Sequence, residues 1–350
     1  MSNIIALNAP ARRQRLSDRI GDLLTVFAGN RRTQEDVYWL KENAELLNIL
    51  ECSGQTVPSQ GLAIHAAFYD SLVDRLRFFP QYYRLLLSIG LDLEDLGMPG
   101  DAMARACEWV ASSGLPDAEL SDLQRAEARR LLARRGVRHE AADEGLNDRL
   151  RAFIGRPATF ALPNKKAAYE LTHIVFYLSE YGRRDPQLDD TALRSLEFAG
   201  IVAFLDQDLD LLAEICVATR QGGGVPHPIW EDAVRHGLSG FEVSVDDKTP
   251  LVDDYHEYLV STWSMLMMGR DDSGVAVPRQ RCLFHRPPAR ESALRAISVA
   301  LLSLGERRAD WTHMRRPVTD LLSPDAVDIL EAAERSSPQF EAFFEGFARA

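Results

Sequence analysis

Apolar residues recur at steps of three and four along most of the chain, which is the period of one face of an α-helix. The clearest case is the stretch NKKAAYELTHIVFYLSEYG, where Asn164 suits an N-cap and Gly182 suits the position after the last turn. Its apolar stripe consists of Ala167, Leu171, Ile174, Val175 and Leu178. A polar stripe beside it consists of Lys166, Glu170, His173, Tyr177 and Glu180. Because Glu170 and His173 are three residues apart, their side chains are neighbours on one helix surface.

The same periodicity predicts about 12 to 14 helices joined by short loops, and hence an all-α protein. The most regular of these helices are Lys165–Tyr181, Asp190–Leu205, Leu209–Gln221, Ile229–Leu238 and Val252–Met268. Strand signals are nearly absent, and the best of them, Phe241–Val245, is short. Two stretches are predicted to be connections: Arg156–Pro163, which contains two prolines, and the polar loop Asp271–Pro288.

The spacing of the helices indicates how they are arranged. The starts of alternate helices, at Lys165, Leu209 and Val252, are separated by 44 and 43 residues. This spacing is expected if each helical hairpin adds one layer and alternate helices line the same side. We therefore predict antiparallel hairpins in an α/α toroid or toroid-like array, with an α-solenoid or an irregular helical bundle as the alternatives.

The domain organisation follows from the same pattern. Residues 1–10 are predicted to form a flexible N-terminal tail, and residues 11–350 one large helical domain. The alternative is a subdivision near residues 156–163, into an N-terminal half at 11–155 and a C-terminal half at 164–350.

Composition and charge narrow the function classes. The chain has 46% hydrophobic and 26% charged residues, which is typical of a folded protein, and its net charge of -12 argues against general binding of nucleic acid. No apolar run approaches the length of a membrane span, and the N-terminus lacks the order of a signal peptide. The four cysteines form no CxxC pair and predict reduced thiols in a cytoplasmic protein. The expected partner is a small-molecule or peptide substrate, and nothing in the sequence indicates the oligomeric state.

If alternate helices form one inner layer, three candidate metal ligands lie at matching positions. His173, Cys216 and His256 are separated by 43 and 40 residues. Two imidazoles and a thiolate can bind zinc, and a site with three protein ligands keeps a position open for a water nucleophile. Glu170 or Asp253 would then be a further ligand, an orienting group or a general base. The place of His256 in the first turns of its helix favours its neutral, ligating form, because the helix dipole opposes protonation there.

A second interpretation omits the cysteine. Glu170-x-x-His173 and Asp253-x-x-His256 have the carboxylate-to-histidine spacing that di-iron carboxylate bundles use in their Glu-x-x-His motifs. Further carboxylates on other helices are present, in no decisive pattern, at Glu197, Asp206 and Glu214. Structural roles are the alternative to both metal sites: a half-exposed polar face for His173, a buried thiol for Cys216 and an N-cap for Asp253.

Aromatic and loop residues near the histidines complete the predicted site. Tyr177 lies one turn after His173 and is a candidate catalytic group. The candidate substrate-binding residues are Tyr169, Tyr255, Trp263 and His227. His227 follows a glycine-rich segment that is conformationally permissive, so that segment is a candidate lid.

Two hypotheses for the function follow. The leading one is a cytoplasmic helical enzyme with a central cavity. Such an enzyme could be a zinc-dependent hydrolase or transferase, an iron-dependent oxygenase, or an enzyme that uses no metal. The competing one is a non-catalytic scaffold or regulatory protein that binds a partner on its concave surface. The enzyme requires His173 and His256 to converge, whereas a scaffold leaves them apart and exposes an apolar or charged patch.

Overall fold

The computed structural model describes residues 14–138, 144–270, 275–288, 290–305 and 307–348. Within these residues the chain is mostly helical, and its strands form one two-stranded sheet, so the all-α prediction is confirmed. The α-helices are α1 (Leu16–Thr25), α2 (Val37–Cys52), α3 (Ser59–Leu62), α4 (Ala66–Phe78), α5 (Tyr83–Asp95), α6 (Ala102–Ser112), α7 (Asp122–Ala133), α8 (Leu146–Ile154), α9 (Pro157–Phe160), α10 (Lys165–Leu178), α11 (Asp190–Leu205), α12 (Leu209–Gln221), α13 (Pro228–Ser239), α14 (Tyr255–Met267), α15 (Ala293–Leu304), α16 (Trp311–Thr319), α17 (Pro324–Ser336) and α18 (Phe340–Ala348). The strands are β1 (Glu242–Val245) and β2 (Cys282–His285).

The predicted boundaries hold best where a side chain caps the helix. α11 and α12 begin and end at the predicted residues, and the carboxylates of Asp189 and Asp208 accept amide hydrogens from their first turns. Asn164 caps α10 in the same way, as predicted. That helix nevertheless ends at Leu178, three residues earlier than expected, and Glu180 then adopts a positive φ of 49°.

Three elements differ from the prediction, and the first is α9, which lies within the stretch Arg156–Pro163 that was predicted to be a connection. α16 contains Pro317 in its interior, and an internal proline removes a helical hydrogen bond, so the sequence pattern does not indicate this helix. β2 lies within the stretch Asp271–Pro288 that was predicted to be a loop. It pairs antiparallel with β1, with Val243 opposite Phe284, and β1 lies within Phe241–Val245, the best strand signal in the sequence. Residues 271–274 of the predicted loop and the predicted tail at 1–10 lie outside the described residues.

Six helices contact one another in a closed order: α2, α5, α7, α10, α12 and α14, with α14 returning to α2. Between them in the chain, α6, α8, α11 and α13 each contact the two ring members that flank them. The alternate helices α10, α12 and α14 are therefore neighbours, as their spacing in the sequence predicts. A closed ring of contacts is what a toroid-like array requires, and the toroid remains our interpretation of it.

Arg31 fixes the start of α14 against α2. Its guanidinium is fully buried and donates to Glu42 at 3.0 Å, to both oxygens of Asp253 at 2.9 Å and to the carbonyl oxygen of Cys282 at 2.6 Å. The rings of Phe27, Tyr255 and Phe284 surround the same guanidinium. Because these contacts join residues more than 200 positions apart, they set the distance between α2 and α14. The prediction of a single domain stays a prediction.

Candidate active site

The two histidines that the sequence places in one site lie on α10 and α14, on either side of α12. Glu214 of α12 lies between them. One of its carboxylate oxygens, Oε2, is 3.7 Å from Nδ1 of His173, and the other, Oε1, is 3.9 Å from Nε2 of His256. The two imidazoles therefore converge on one carboxylate.

The carboxyl group of Glu214 is almost completely buried, with 4% of its side chain exposed. Burial raises its pKa, against the opposing charge of His173, and the like charge of nearby Asp210 adds to the increase. The hydroxyl of Thr172 donates to Oε2 at 2.5 Å and favours the ionised form. A carboxyl group whose pKa is raised in this way is suited to exchanging a proton with its neighbours.

The backbone holds the ring of His173 in one orientation. Nδ1 lies 2.8 Å from the carbonyl oxygen of Tyr169, and since a carbonyl can only accept, Nδ1 carries the hydrogen in the neutral ring. Nε2 then presents a lone pair, and it makes no hydrogen bond to any residue within the described ranges. Because 36% of the side chain is exposed, this nitrogen is accessible to a bound molecule and available as a proton acceptor.

His256 is held by carboxylates instead. Its Nδ1 is 3.3 Å from Oε2 of Glu45, and its Nε2 is 3.6 Å from Oδ1 of Asp210. Burial acts to lower the pKa of His256, but the contact with Glu45 and the charges of Glu45 and Asp210 outweigh it and raise this pKa to about 9.

The same contact sets the charge of Glu45. Burial acts to raise the pKa of Glu45, but His256, together with Lys41, outweighs it and lowers this pKa to about 2. His256 is therefore an imidazolium at neutral pH. This is the opposite of the neutral form expected from its place in the helix, because adjacent carboxylates act more strongly on the ring than the helix dipole does.

A cavity of about 550 Å³ opens beside His173, between α2, α5, α7 and α10. Lys41 and Glu45 stand on its α2 wall, so the cavity reaches the carboxylate that holds His256. Asn48 contributes a buried amide nitrogen that has no hydrogen-bond partner among the described residues. Aromatic side chains form much of the remaining wall: Tyr38, Tyr82, Tyr177 and Tyr181. The volume is that of a small-molecule site.

A family model described as a domain of unknown function (DUF6902) matches residues 1–350. The chain belongs to the DUF6902 family. No curated protein and no solved structure matches it. Within its described residues, this DUF6902 chain has no helix that is long and apolar enough to cross a membrane.

Cys216 does not join the histidines in the DUF6902 structure. Its thiol is buried, burial raises its pKa, and the charged groups that act on it are Glu231 and Arg220. Since Cys216 follows Glu214 by two residues, it points about 200° away around the helix. The predicted zinc ligands are thus not brought together. Among the residues that the structure describes, no group of three or more His, Cys, Asp and Glu side chains is arranged to hold a metal ion, for zinc or for iron.

The two carboxylates predicted to support the histidines have other positions. Asp253 binds Arg31 and accepts the backbone amide of Phe284 at 2.8 Å, so it anchors the start of α14 and does not contact His256. Glu170 is half-buried and makes no hydrogen bond or ion pair with any described residue. Its place beside the His173 ring is taken by the carboxylate of Glu214 from the neighbouring helix.

The predicted tyrosines do lie at the site. Tyr169 donates its hydroxyl to Oδ2 of Asp210 at 2.6 Å, which orients a carboxylate that faces His256. The hydroxyl oxygen of Tyr255 accepts from Lys41 at 3.2 Å. Tyr177 lines the cavity, with its ring centroid 6.0 Å from that of His173. Of the three, Tyr177 is the one that a bound molecule can reach from the cavity.

The remaining two predicted substrate-binding residues have structural roles. Trp263 is 4% exposed and packs against the rings of Phe176 and Tyr181, so it belongs to the hydrophobic core. His227 is the N-cap of α13, where its Nδ1 accepts the amide hydrogen of Ile229 at 3.2 Å. It is therefore a capping residue and not part of a lid over the cavity.

Proposed function

We propose that this protein is an enzyme that transfers protons on a small polar substrate bound in the 550 Å³ cavity, with His173 as the general base. The observation that carries the proposal is Nε2 of His173, which makes no hydrogen bond to the residues that the structure describes, on a ring whose tautomer is set by the Tyr169 carbonyl. The proposed compartment is the cytoplasm, since the four cysteines are free thiols.

The proton balance follows from the groups around the ring. Nε2 of His173 accepts a proton from a substrate hydroxyl, a carbon acid or an attacking water, and the ring becomes an imidazolium. The carboxylate of Glu214, 3.7 Å from Nδ1, stabilises that positive charge. On the opposite wall, the ion pair of Glu45 with His256 keeps Glu45 ionised, so it can accept a hydrogen bond that positions the substrate.

A substrate search with a matched variant tests this function. The purified chain is incubated with a small-molecule cell extract, and substrate loss is followed by mass spectrometry for wild type, His173→Gln and His236→Gln. His236 is an exposed histidine of α13 and is the control. We expect at least one compound to be consumed by the wild type and by His236→Gln, and consumed about 100-fold more slowly by His173→Gln. If no compound is consumed, or if His173→Gln consumes it at the wild-type rate, the proposal is wrong.

A second candidate function, a scaffold that binds another protein, is favoured by one surface. A groove of about 570 Å³ runs between α15 and the turn before α17, and Val299 and Leu321 line it with 54% and 53% of their surface exposed. Exposed apolar residues beside a groove are typical of partner contacts. The double variant Val299→Ser/Leu321→Ser separates the two functions, because it should leave any His173-dependent conversion unchanged.

A further inference from the structure

A second cavity, of about 430 Å³, shares no lining residue with the His173 cavity. Its walls come from α11, α12, α13, α14, α17 and the segment that follows β2. Much of the lining is apolar, including Phe204, Leu209, Leu212, Ile229 and Ile329. None of these residues belongs to the proposed acid–base site, and the volume is that of a small-molecule site.

The charged side chains of this cavity differ in how deeply they are buried. Glu257 and Asp208 are the buried ones, with 12% and 11% of their side chains exposed. The cationic side chains lie at the rim, where Arg286 is 44% exposed and Arg290 is also exposed. The inner end is thus acidic, whereas the entrance carries both signs of charge, because the exposed carboxylates of Asp232 and Asp328 lie there with the two arginines.

The contacts of the Glu257 carboxylate offset little of the free-energy cost of burying it. The hydrogen bond that holds its carboxylate is a long one of 3.4 Å from Arg286, an exposed side chain that solvent screens. Burial raises its pKa to about 7, against the charge of Arg286, and the charges of Asp210, Asp254 and Asp208 add to the increase. The group at the inner end therefore gains from any cation that reaches it.

We infer that this cavity binds a protonated amine with an apolar body, whose ammonium group pairs with Glu257 while its body fills the space between Leu209, Leu212 and Ile329. An anion would meet two carboxylates at the inner end, and an uncharged apolar molecule would leave Glu257 without a new partner. Because the cation favours the ionised carboxylate, binding near neutral pH should release a proton from Glu257.

Calorimetric titration with three probes of the same apolar body tests the inference. Phenethylamine, 2-phenylethanol and 3-phenylpropionate are titrated at about pH 8, where Glu257 is mostly ionised. We expect phenethylamine to bind at least about tenfold more tightly than either other probe. At about pH 6.5, its heat of binding should depend on the ionisation enthalpy of the buffer, because a proton is released.

Three variants identify the cavity. Glu257→Gln should weaken amine binding by at least about tenfold and remove the buffer dependence. Asp232→Asn is the matched control at the rim, where this carboxylate is 63% exposed and pairs with Arg235, and it should change the affinity by less than about twofold. Ala233→Leu fills the cavity while it keeps Glu257, and should abolish binding without changing the unfolding midpoint.

Other outcomes overturn the inference. Tighter binding of 3-phenylpropionate would assign the cavity to anions through its rim arginines. Amine binding that Glu257→Gln leaves intact would place the amine elsewhere, and absence of binding by all three probes at millimolar concentration would leave the cavity without the proposed ligand class. None of these outcomes depends on the acid–base activity proposed for the His173 cavity.

Discussion

Replacing Glu45 with glutamine removes the carboxylate that lies 3.3 Å from Nδ1 of His256 while it keeps the size of the side chain. Burial then dominates the protonation of His256, with the charge of Asp210 and the more distant carboxyl group of Glu214 to oppose it. We expect the pKa of His256 to fall from about 9 to near or below the ordinary histidine value of 6.5.

The size of the effect on stability follows from the same pKa. A histidine pKa of about 9 instead of 6.5 corresponds to about 3 kcal/mol of preference for the charged ring in the folded state. Because 35% of the side chain of His256 is exposed, solvent screening reduces this to about 1.5 kcal/mol. The low pKa of Glu45 results from the same ion pair with His256, so the free energy that corresponds to it is not added to this value.

The sign of the pH dependence is fixed by the direction of the shift. The folded-state pKa of His256 lies above the unfolded value, so its stabilisation is fully present below about pH 6.5 and is lost as the pH rises through about 9. The free energy of unfolding of the wild type should therefore decrease by about 1.5 kcal/mol over that window from this group. In Glu45→Gln this contribution should be absent.

Two measurements check the expectation: NMR titration of the imidazole resonances, and urea unfolding at about pH 6 and about pH 10. Glu35→Gln is the control, because this side chain just before α2 is 77% exposed and its ion pair with Arg75 is a long one, at 3.9 Å. If His256 titrates at or below 6.5 in the wild type, or at the same pH in Glu45→Gln, then the carboxylates do not determine its charge.

Two further predictions concern Arg31, which fixes the start of α14 against α2, and Cys216, whose thiol lies apart from the two histidines. Arg31→Met leaves the buried carboxylate of Asp253 without its cation, although Glu42 keeps Arg32 at 2.7 Å, and should cost about 3 to 5 kcal/mol in urea unfolding. Arg105→Met, at a side chain that is 70% exposed, should cost less than about 1 kcal/mol, and equal costs would show that the Arg31 contacts do not stabilise the fold. The buried thiol of Cys216, whose pKa is raised by burial, should react with a disulfide reagent only as fast as the chain unfolds. Rapid labelling of the native protein would instead place that thiol at an accessible site.

The sequence predicts the neighbours in this fold because neighbour relations follow from local signals. Apolar periodicity and capping residues such as Asn164 and Asp208 define where helices start, and the regular spacing of those starts pairs α10 with α12 and α12 with α14. Given that layer, the convergence of His173 and His256 follows from their positions along their own helices. α16 is not predicted from local signals, because Pro317 interrupts the helical pattern of its sequence.

Glu214, the residue between the histidines, could not be predicted in the same way. Which side chains of α12 face the histidines depends on the rotation of this helix about its axis. The sequence of α12, LDLLAEICVATRQ, is apolar on nearly all sides, so its periodicity does not show which side faces the ring interior. The available signal is chemical: Asp210 and Glu214 are one turn apart, and two carboxylates on a buried helix need partners. Glu45 offers no such signal, because it reaches His256 across 211 residues of chain.

The cost of this arrangement is itself an argument for a proton-transfer role. Burying ionisable groups lowers stability, and apolar side chains of similar volume would often hold α10, α12 and α14 together equally well. Glu45 is paired with both His256 and Lys41, so the negative charge that opposes the ionisation of Glu214 is that of Asp210. The ionisation of Glu214 is also sensitive to the charge on His173, which lowers the pKa of Glu214 when a proton arrives there. In the role that we propose, a proton taken up by His173 is stabilised by the negative charge of Glu214 3.7 Å away, which is the electrostatic condition that a general base requires.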